Sequence, residues 1–341
     1  MANSQTTGKA GAGGKTSTGA KGAKGRPAGG AAAGSRGGAS GGRKGAAGTT
    51  QVGGYKVSGP SQRRLAPSTL ALGAVLLVVL VVVVMVVVKV TSSSTPKAAS
   101  GPTEFPAPAV MVRDATSVPM SLAGRVGLPS SVTPPQLLKG QPPLTEAGKP
   151  AVVYVGAEYC PYCAAERWAL VMALSRFGTF KNLGETHSAT GDVYPDTVTF
   201  SFYGSSYTSP YVSFDPTEMY TNQPTSSGYQ TLQPLTGLAK KVFDKYDASP
   251  YVPASSTGAF PFADFGNKVL ISGASYTPQL LAGLDDTQIA GALSNPSSPV
   301  AQAIVGTANY LTASICSLTG QKPASVCSAP VVGKAAHRIG L

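Results

Sequence analysis

Acidic residues are absent from Met1 to Ala66, a stretch that carries eleven Lys and Arg and so holds nearly all of the chain's formal charge of +12. The pI near 9.5 therefore describes a tail and not a domain. Large apolar side chains are almost missing there too. Residues 1–61 are mostly Gly, Ala, Ser, Thr and Lys, a composition that cannot bury enough surface to offset chain entropy. This excludes a packed core, and residues 1–67 are expected to be a disordered basic tail. Its scattered cations suit contact with anionic lipid headgroups or nucleic acid, or simple solvation while they help fix topology.

Charge of either sign is missing next. From Leu70 to Val88 nineteen consecutive residues, mostly Val and Leu, carry none. At ~1.5 Å per residue such a helix spans roughly the hydrocarbon core, so residues 68–90 are expected to form a single transmembrane helix. The run is too long, and begins too far into the chain, for a cleaved signal peptide. Arg63 and Arg64 precede it and only Lys89 and Lys97 closely follow, which puts the N-terminus in the cytoplasm and the remainder outside.

Histidine occurs only at His187 and His337, and cysteine only as Cys160-x2-Cys163 and Cys316-x10-Cys327. A zinc site is disfavoured, because ten intervening residues exceed the usual knuckle spacing and two histidines add little. No metal or cofactor is expected. All four cysteines lie on the side of the membrane where disulfides persist. Cys160 stands where a helix would start, and unpaired amides there stabilise thiolate over thiol. Pro161 loses no hydrogen bond in the first turn, and Cys163 is placed to resolve a mixed disulfide by attacking Cys160. A structural bridge between Cys160 and Cys163 is the duller alternative. For Cys316 and Cys327 the weighting reverses: a structural disulfide is preferred, with an electron relay to Cys160 and Cys163 left open.

Residues 91–108 are rich in Ser, Thr and Pro and read as a spacer. A folded domain is expected over residues 109–328, followed by a tail over residues 329–341. Its first forty residues are broken by Pro119, Pro129, Pro134, Pro135, Pro142 and Pro143, and no element can be drawn there. Residues 151–156 are continuously apolar, as in a buried central strand, and lead into the cysteines and a helix over residues 162–177. Another strand is expected at residues 197–203, a helix at 235–246, a hairpin across Gly266-Asn267 at 260–272, helical structure at 278–293 and a last helix at 300–318. The Tyr-rich segment 203–229 reads as a lid, a substrate surface or a packed loop.

Val155 to Cys163 resembles the strand and active-site turn of the thioredoxin superfamily, with the Pro-Tyr dipeptide of glutaredoxins. The stretches GAEYCPYCAAERWAL, SFYGSSYTSPY and FPFADFGNKVLISGASYTP, with the Ile315-Cys316 to Val326-Cys327 ending, resemble more specifically a prokaryotic family known as domain-of-unknown-function family 929, over about Ala109 to Ser328. The resemblance implies an α/β, thioredoxin-like fold with an insertion. It also makes Cys160 the attacking thiol, Cys163 the resolving thiol and Pro261 a cis-proline that turns the Phe260 backbone toward the sulfurs. Tyr154 departs from the pattern, standing where many thioredoxins have a buried proton-accepting Asp. Glu158 and Glu166 lie closer to the turn, Glu158 as a solvated loop carboxylate or a proton shuttle. The expected function is thiol–disulfide exchange, as an oxidase or isomerase, on thiols or disulfides of exported proteins with an unidentified membrane redox partner. A non-catalytic binding or scaffold protein of the cell envelope is the alternative.

Overall fold

A computed structural model describes residues 101–341. The expected tail, the expected transmembrane segment and the first part of the spacer lie outside the described residues. Among the described residues no helix is long and apolar enough to cross a membrane.

The fold is mixed α/β. Helices α1 (Ala109–Thr116) and α2 (Met120–Val126) precede strands β1 (Gln136–Leu137), β2 (Thr145–Glu146) and β3 (Lys149–Gly156). Helix α3 (Pro161–Ser175) is followed by β4 (Thr179–Lys181), β5 (Gly184–His187), β6 (Val198–Ser201), β7 (Ser206–Thr208), β8 (Ser213–Glu218), β9 (Tyr220–Thr225) and β10 (Gly228–Thr231). Then come α4 (Gly237–Tyr246), β11 (Phe262–Phe265), β12 (Val269–Ser272), α5 (Asp286–Ala292), α6 (Pro299–Leu318), α7 (Ala324–Cys327) and α8 (Pro330–Ile339).

β3 is the middle of the main sheet. It pairs in parallel with β8, from Ala151↔Ser213 to Gly156↔Glu218, and antiparallel with β11, from Val152↔Phe265 to Val155↔Phe262. β12 and then β1 continue the sheet beyond β11, and β2 pairs with the start of β3. Residues 151–156 are buried throughout, because each face of the strand is covered. Val152 and Tyr154 join Ala263, Phe265, Val269 and Ile271 in a large core with α3 and α6. Val153 and Val155 face the other way, with Phe262 and Leu270, against Ala239, Val242 and Tyr246 of α4. Both α3 and α6 are buried nearly all round, which explains why they are rich in Ala, Val and Leu rather than two-faced. The β11–β12 turn takes positive φ at Gly266 and Asn267, the conformation that selects Gly-Asn in a tight hairpin.

Several expectations are corrected. The strand expected at 197–203 forms as β6, but it pairs with β5 and stays out of the main sheet. The parallel neighbour of β3 is instead β8, within the segment read as lid or loop, and β9 and β10 make a hairpin beside it. Pro216 is accommodated because β8 pairs on one side only, so the missing N–H breaks no ladder. Helices α1 and α2 fit between the prolines. The folded part begins before Ala109: Glu104 pairs with Glu185, and Ala107 N–H donates to Leu183 O at 2.8 Å. Residues 329–341 are not a loose tail, since α8 buries Val331, Val332, Ala335 and Ile339 in the large core. Helical structure at 278–293 resolves into a 3-10 turn, Pro278–Leu281, and α5.

Candidate active site

The end of β3, the start of α3 and the start of β11 converge at Cys160. Cys160 is the N-cap of α3, its Sγ accepting the Cys163 N–H at 3.2 Å, with Pro161 at the first helical position. Across the sheet the Phe260–Pro261 peptide is cis, and Phe260 O accepts a long contact from Cys160 Sγ at 3.9 Å. The fold thus brings Cys160, Cys163 and Pro261 together, although about a hundred residues separate them in the chain.

Both cysteines are free thiols, and they differ in environment. Cys160 retains slight exposure and Cys163 has none. The Cys163 side-chain hydrogen bond holds Cys160 below its ordinary value against the opposing effect of burial, with help from the Cys163 N–H, Arg167 and the Tyr162 N–H. Burial pushes Cys163 well up, and its neighbour Cys160 adds to this. The thiolate is therefore favoured on the cysteine that can be reached.

The surrounding charges were hidden in the sequence. Arg167, one helical turn after Cys163, is fully buried, and its Nε and Nη2 donate to Glu218 Oε1 and Oε2 at 2.8 and 2.7 Å. Nη2 also donates to Ala157 O at 2.7 Å, in the turn before Cys160. Burial works against the Arg167 charge, and Glu218 together with Tyr154 and Cys163 outweighs it; burial likewise raises Glu218 against the pull of Arg167, but a fork donating to both carboxylate oxygens fits the ionised form. Tyr154 lies beneath, its ring centre 6.0 Å from the guanidinium, its hydroxyl buried without a partner. Burial holds that phenol well above its usual range, so Tyr154 stays neutral. Gly156 leaves the space its hydroxyl occupies.

Glu158 is not a solvated loop carboxylate: it is buried, and its Oε1 accepts Thr103 Oγ1 at 2.5 Å and Ser201 Oγ at 2.6 Å. Glu166 is fully buried and accepts from Ser275 N and Oγ at 2.8 and 3.1 Å. Around the opening stand Tyr159, Tyr220 and Phe260, with Tyr159 stacked on Tyr229 at 4.0 Å and Tyr162 exposed. Burial raises Tyr159 to about 12.

Cys316 and Cys327 are bonded to each other, with Cα atoms 5.6 Å apart, closing the end of α6 onto α7. In the chain-entropy model such a loop is worth ~3 kcal/mol. The relay alternative meets a geometric obstacle. Leu318, two residues on from Cys316, packs at Gly266, the far end of the hairpin from Pro261. Gly266 is five steps along the chain from Pro261, about 16 Å at ~3.3 Å per step, whereas exchange needs sulfur in contact with sulfur.

Fold and site together define a mixed α/β protein that presents a Cys-x-x-Cys at a helix start. Residues 139–317 match the family model described as "Domain of unknown function (DUF929)", and the chain belongs to that family. No curated protein and no solved structure matches it. The match is narrower than the resemblance over Ala109 to Ser328, leaving outside it α1, α2, β1 and α7, and with α7 Cys327.

Proposed function

We propose that this chain is a thioredoxin-like thiol–disulfide oxidoreductase, anchored by residues 70–88 and facing the outside of the cell, that exchanges disulfides with exported proteins. The observation that carries the reading is the setting of Cys160 Sγ, between the Cys163 N–H at the start of α3 and the Phe260 carbonyl. The Cys163 N–H stabilises a thiolate there, and the Phe260 carbonyl, which a thiolate leaves without a donor, lies where the backbone N–H of an incoming peptide would pair with it. The sheet order β8-β3-β11-β12, with β3 and β8 parallel and the cysteines after β3, supports a thioredoxin-like arrangement. The aromatic rim of Tyr159, Tyr162 and Tyr220 offers apolar area to a peptide substrate.

Trapping tests this directly. A Cys163→Ser variant should accumulate mixed disulfides through Cys160, and the additional change Cys160→Ser should remove all of them. If Cys163→Ser accumulates none, exchange is lost as a function and the rim is left as a non-catalytic binding surface. Orientation has its own test: a membrane-impermeant thiol reagent should label reduced Cys160 in intact cells, and protection until lysis would reverse the topology.

A further inference from the structure

We infer that the buried Arg167–Glu218 pair sets the direction of exchange, favouring the dithiol form of the motif so that the domain hands its disulfide to protein dithiols and acts as an oxidant. This rests on the exchange reading above. Arg167 follows Cys163 by four residues and Cys160 by seven, spacings that share one helix face. Its Nη2 reaches the Ala157 carbonyl in the turn before Cys160, so the guanidinium lies on the cysteine side of the pair. Nη1 is buried with no partner. The ionisable groups facing the sulfurs from neighbouring elements are Tyr154 on β3, neutral and unpartnered, Tyr159 in the turn, Glu218 at the end of β8, bonded to Arg167, and Tyr220 on β9. Glu158, also in the turn, is held by Thr103 and Ser201.

A permanent cation and the amides of a helix start act on a thiolate and have no comparable hold on a neutral disulfide. They therefore stabilise the reduced form alone, and a couple whose reduced form is stabilised is oxidising. A substrate thiolate attacks Cys160 Sγ, the Cys160–Cys163 bond breaks, and Cys163 leaves and takes up a proton. The second substrate thiolate attacks the substrate sulfur of the mixed disulfide and expels Cys160 as thiolate. The substrate gains one disulfide and loses two electrons to the domain, and the remaining proton goes to solvent. A low-pKa Cys160 is the better leaving group in the second step. Further turnovers need a disulfide-bearing or quinone-linked oxidant.

The test is the equilibrium of the full-length chain with glutathione. The wild-type disulfide should be at least a hundredfold more readily reduced than that of thioredoxin, about 60 mV more oxidising. Arg167→Met should make the disulfide about tenfold more stable and cut the Cys160 thiolate fraction at fixed pH about tenfold, while Arg167→Lys should rescue most of both. Glu218→Gln, which leaves the cation without its neutralising partner, should move the equilibrium about tenfold the other way. Because a lone buried charge can unfold the chain, the double variant Arg167→Met/Glu218→Leu is included, and it should shift in the same direction as Arg167→Met but by less, since the guanidinium is the partner on the cysteine side. An equilibrium unmoved by Arg167→Met and by the double variant overturns the inference, as does a shift of the same sign from Glu218→Gln. A wild-type chain that exchanges with nothing removes the exchange reading and this inference with it.

Discussion

Acidifying the protein from pH 8 to pH 5 should raise its unfolding free energy by about 5 kcal/mol, the reverse of ordinary acid destabilisation. Two buried carboxyls cause this. Glu166 on α3 faces no cation, and burial raises it to about 7 against the opposing hydrogen bonds from Ser275. Asp264 on β11 is also raised by burial to about 7, with one oxygen bonded to the Asn267 N–H and the other unpartnered. In the unfolded chain both lose their protons near their ordinary values of 4.5 and 3.8. Between those values and 7 the native state binds more protons, so stability is complete below the unfolded values and is lost as pH rises through 7. Each group contributes about 1.4 kcal/mol per pH unit in that window. Urea midpoints at pH 5 and pH 8 check this, and Glu166→Gln should flatten about half of the dependence and stabilise the protein at pH 8. A midpoint that rises with pH would contradict the assignment. The effect reaches the site, because Ser275 lies two residues beyond Gly273, whose N–H donates to Pro261 O at 2.8 Å.

What was legible in the sequence is what depends on local pattern. Residues 151–156 announce a central strand because both faces are apolar, and Cys160, Pro161 and Cys163 announce a helix start that they then occupy. The Gly266-Asn267 turn and α6 were equally plain. β8 was hidden because Asp215, Pro216 and Glu218 contradict strand propensity, and only its edge position and the Arg167 pairing make them tolerable. The Arg167–Glu218 contact joins residues 51 apart, and the Glu158–Thr103 contact joins residues 55 apart, one of them in the supposed spacer. A signal existed for the first. Glu166 and Arg167 are the only charged residues of a helix that from Ala164 to Leu174 is otherwise Ala, Leu, Val, Met and Trp, and charges on a helix buried nearly all round require partners elsewhere. The α8 stripe of Val331, Ala335 and Ile339 was also readable as one helix face.

Replacing Trp168 by Ala should cost about 3–5 kcal/mol, a large share of the stability of an ordinary domain. Trp168 is the chain's single tryptophan and is completely buried on α3. Its ring meets Phe200 edge-on with centroids 4.8 Å apart, and its Nε1 donates to Val198 O at 3.1 Å, so it clamps β6 to α3. Removing it opens a cavity among side chains that cannot collapse, because the next ties between the two elements are rigid, such as Thr199 Oγ1 to Ala164 O at 2.8 Å. Trp168→Phe separates the two contributions. It keeps most of the apolar volume but strands the Val198 carbonyl, and should cost about 1–3 kcal/mol. Urea unfolding followed by circular dichroism measures both variants, since the substitutions remove the fluorophore. A loss below about 1 kcal/mol for Trp168→Ala would mean that β6 is not held by this side chain. The consequence then extends to the site. Ser201, at the end of β6, holds Glu158 two residues before Cys160, so loosening β6 should also loosen the turn that positions the reactive sulfur.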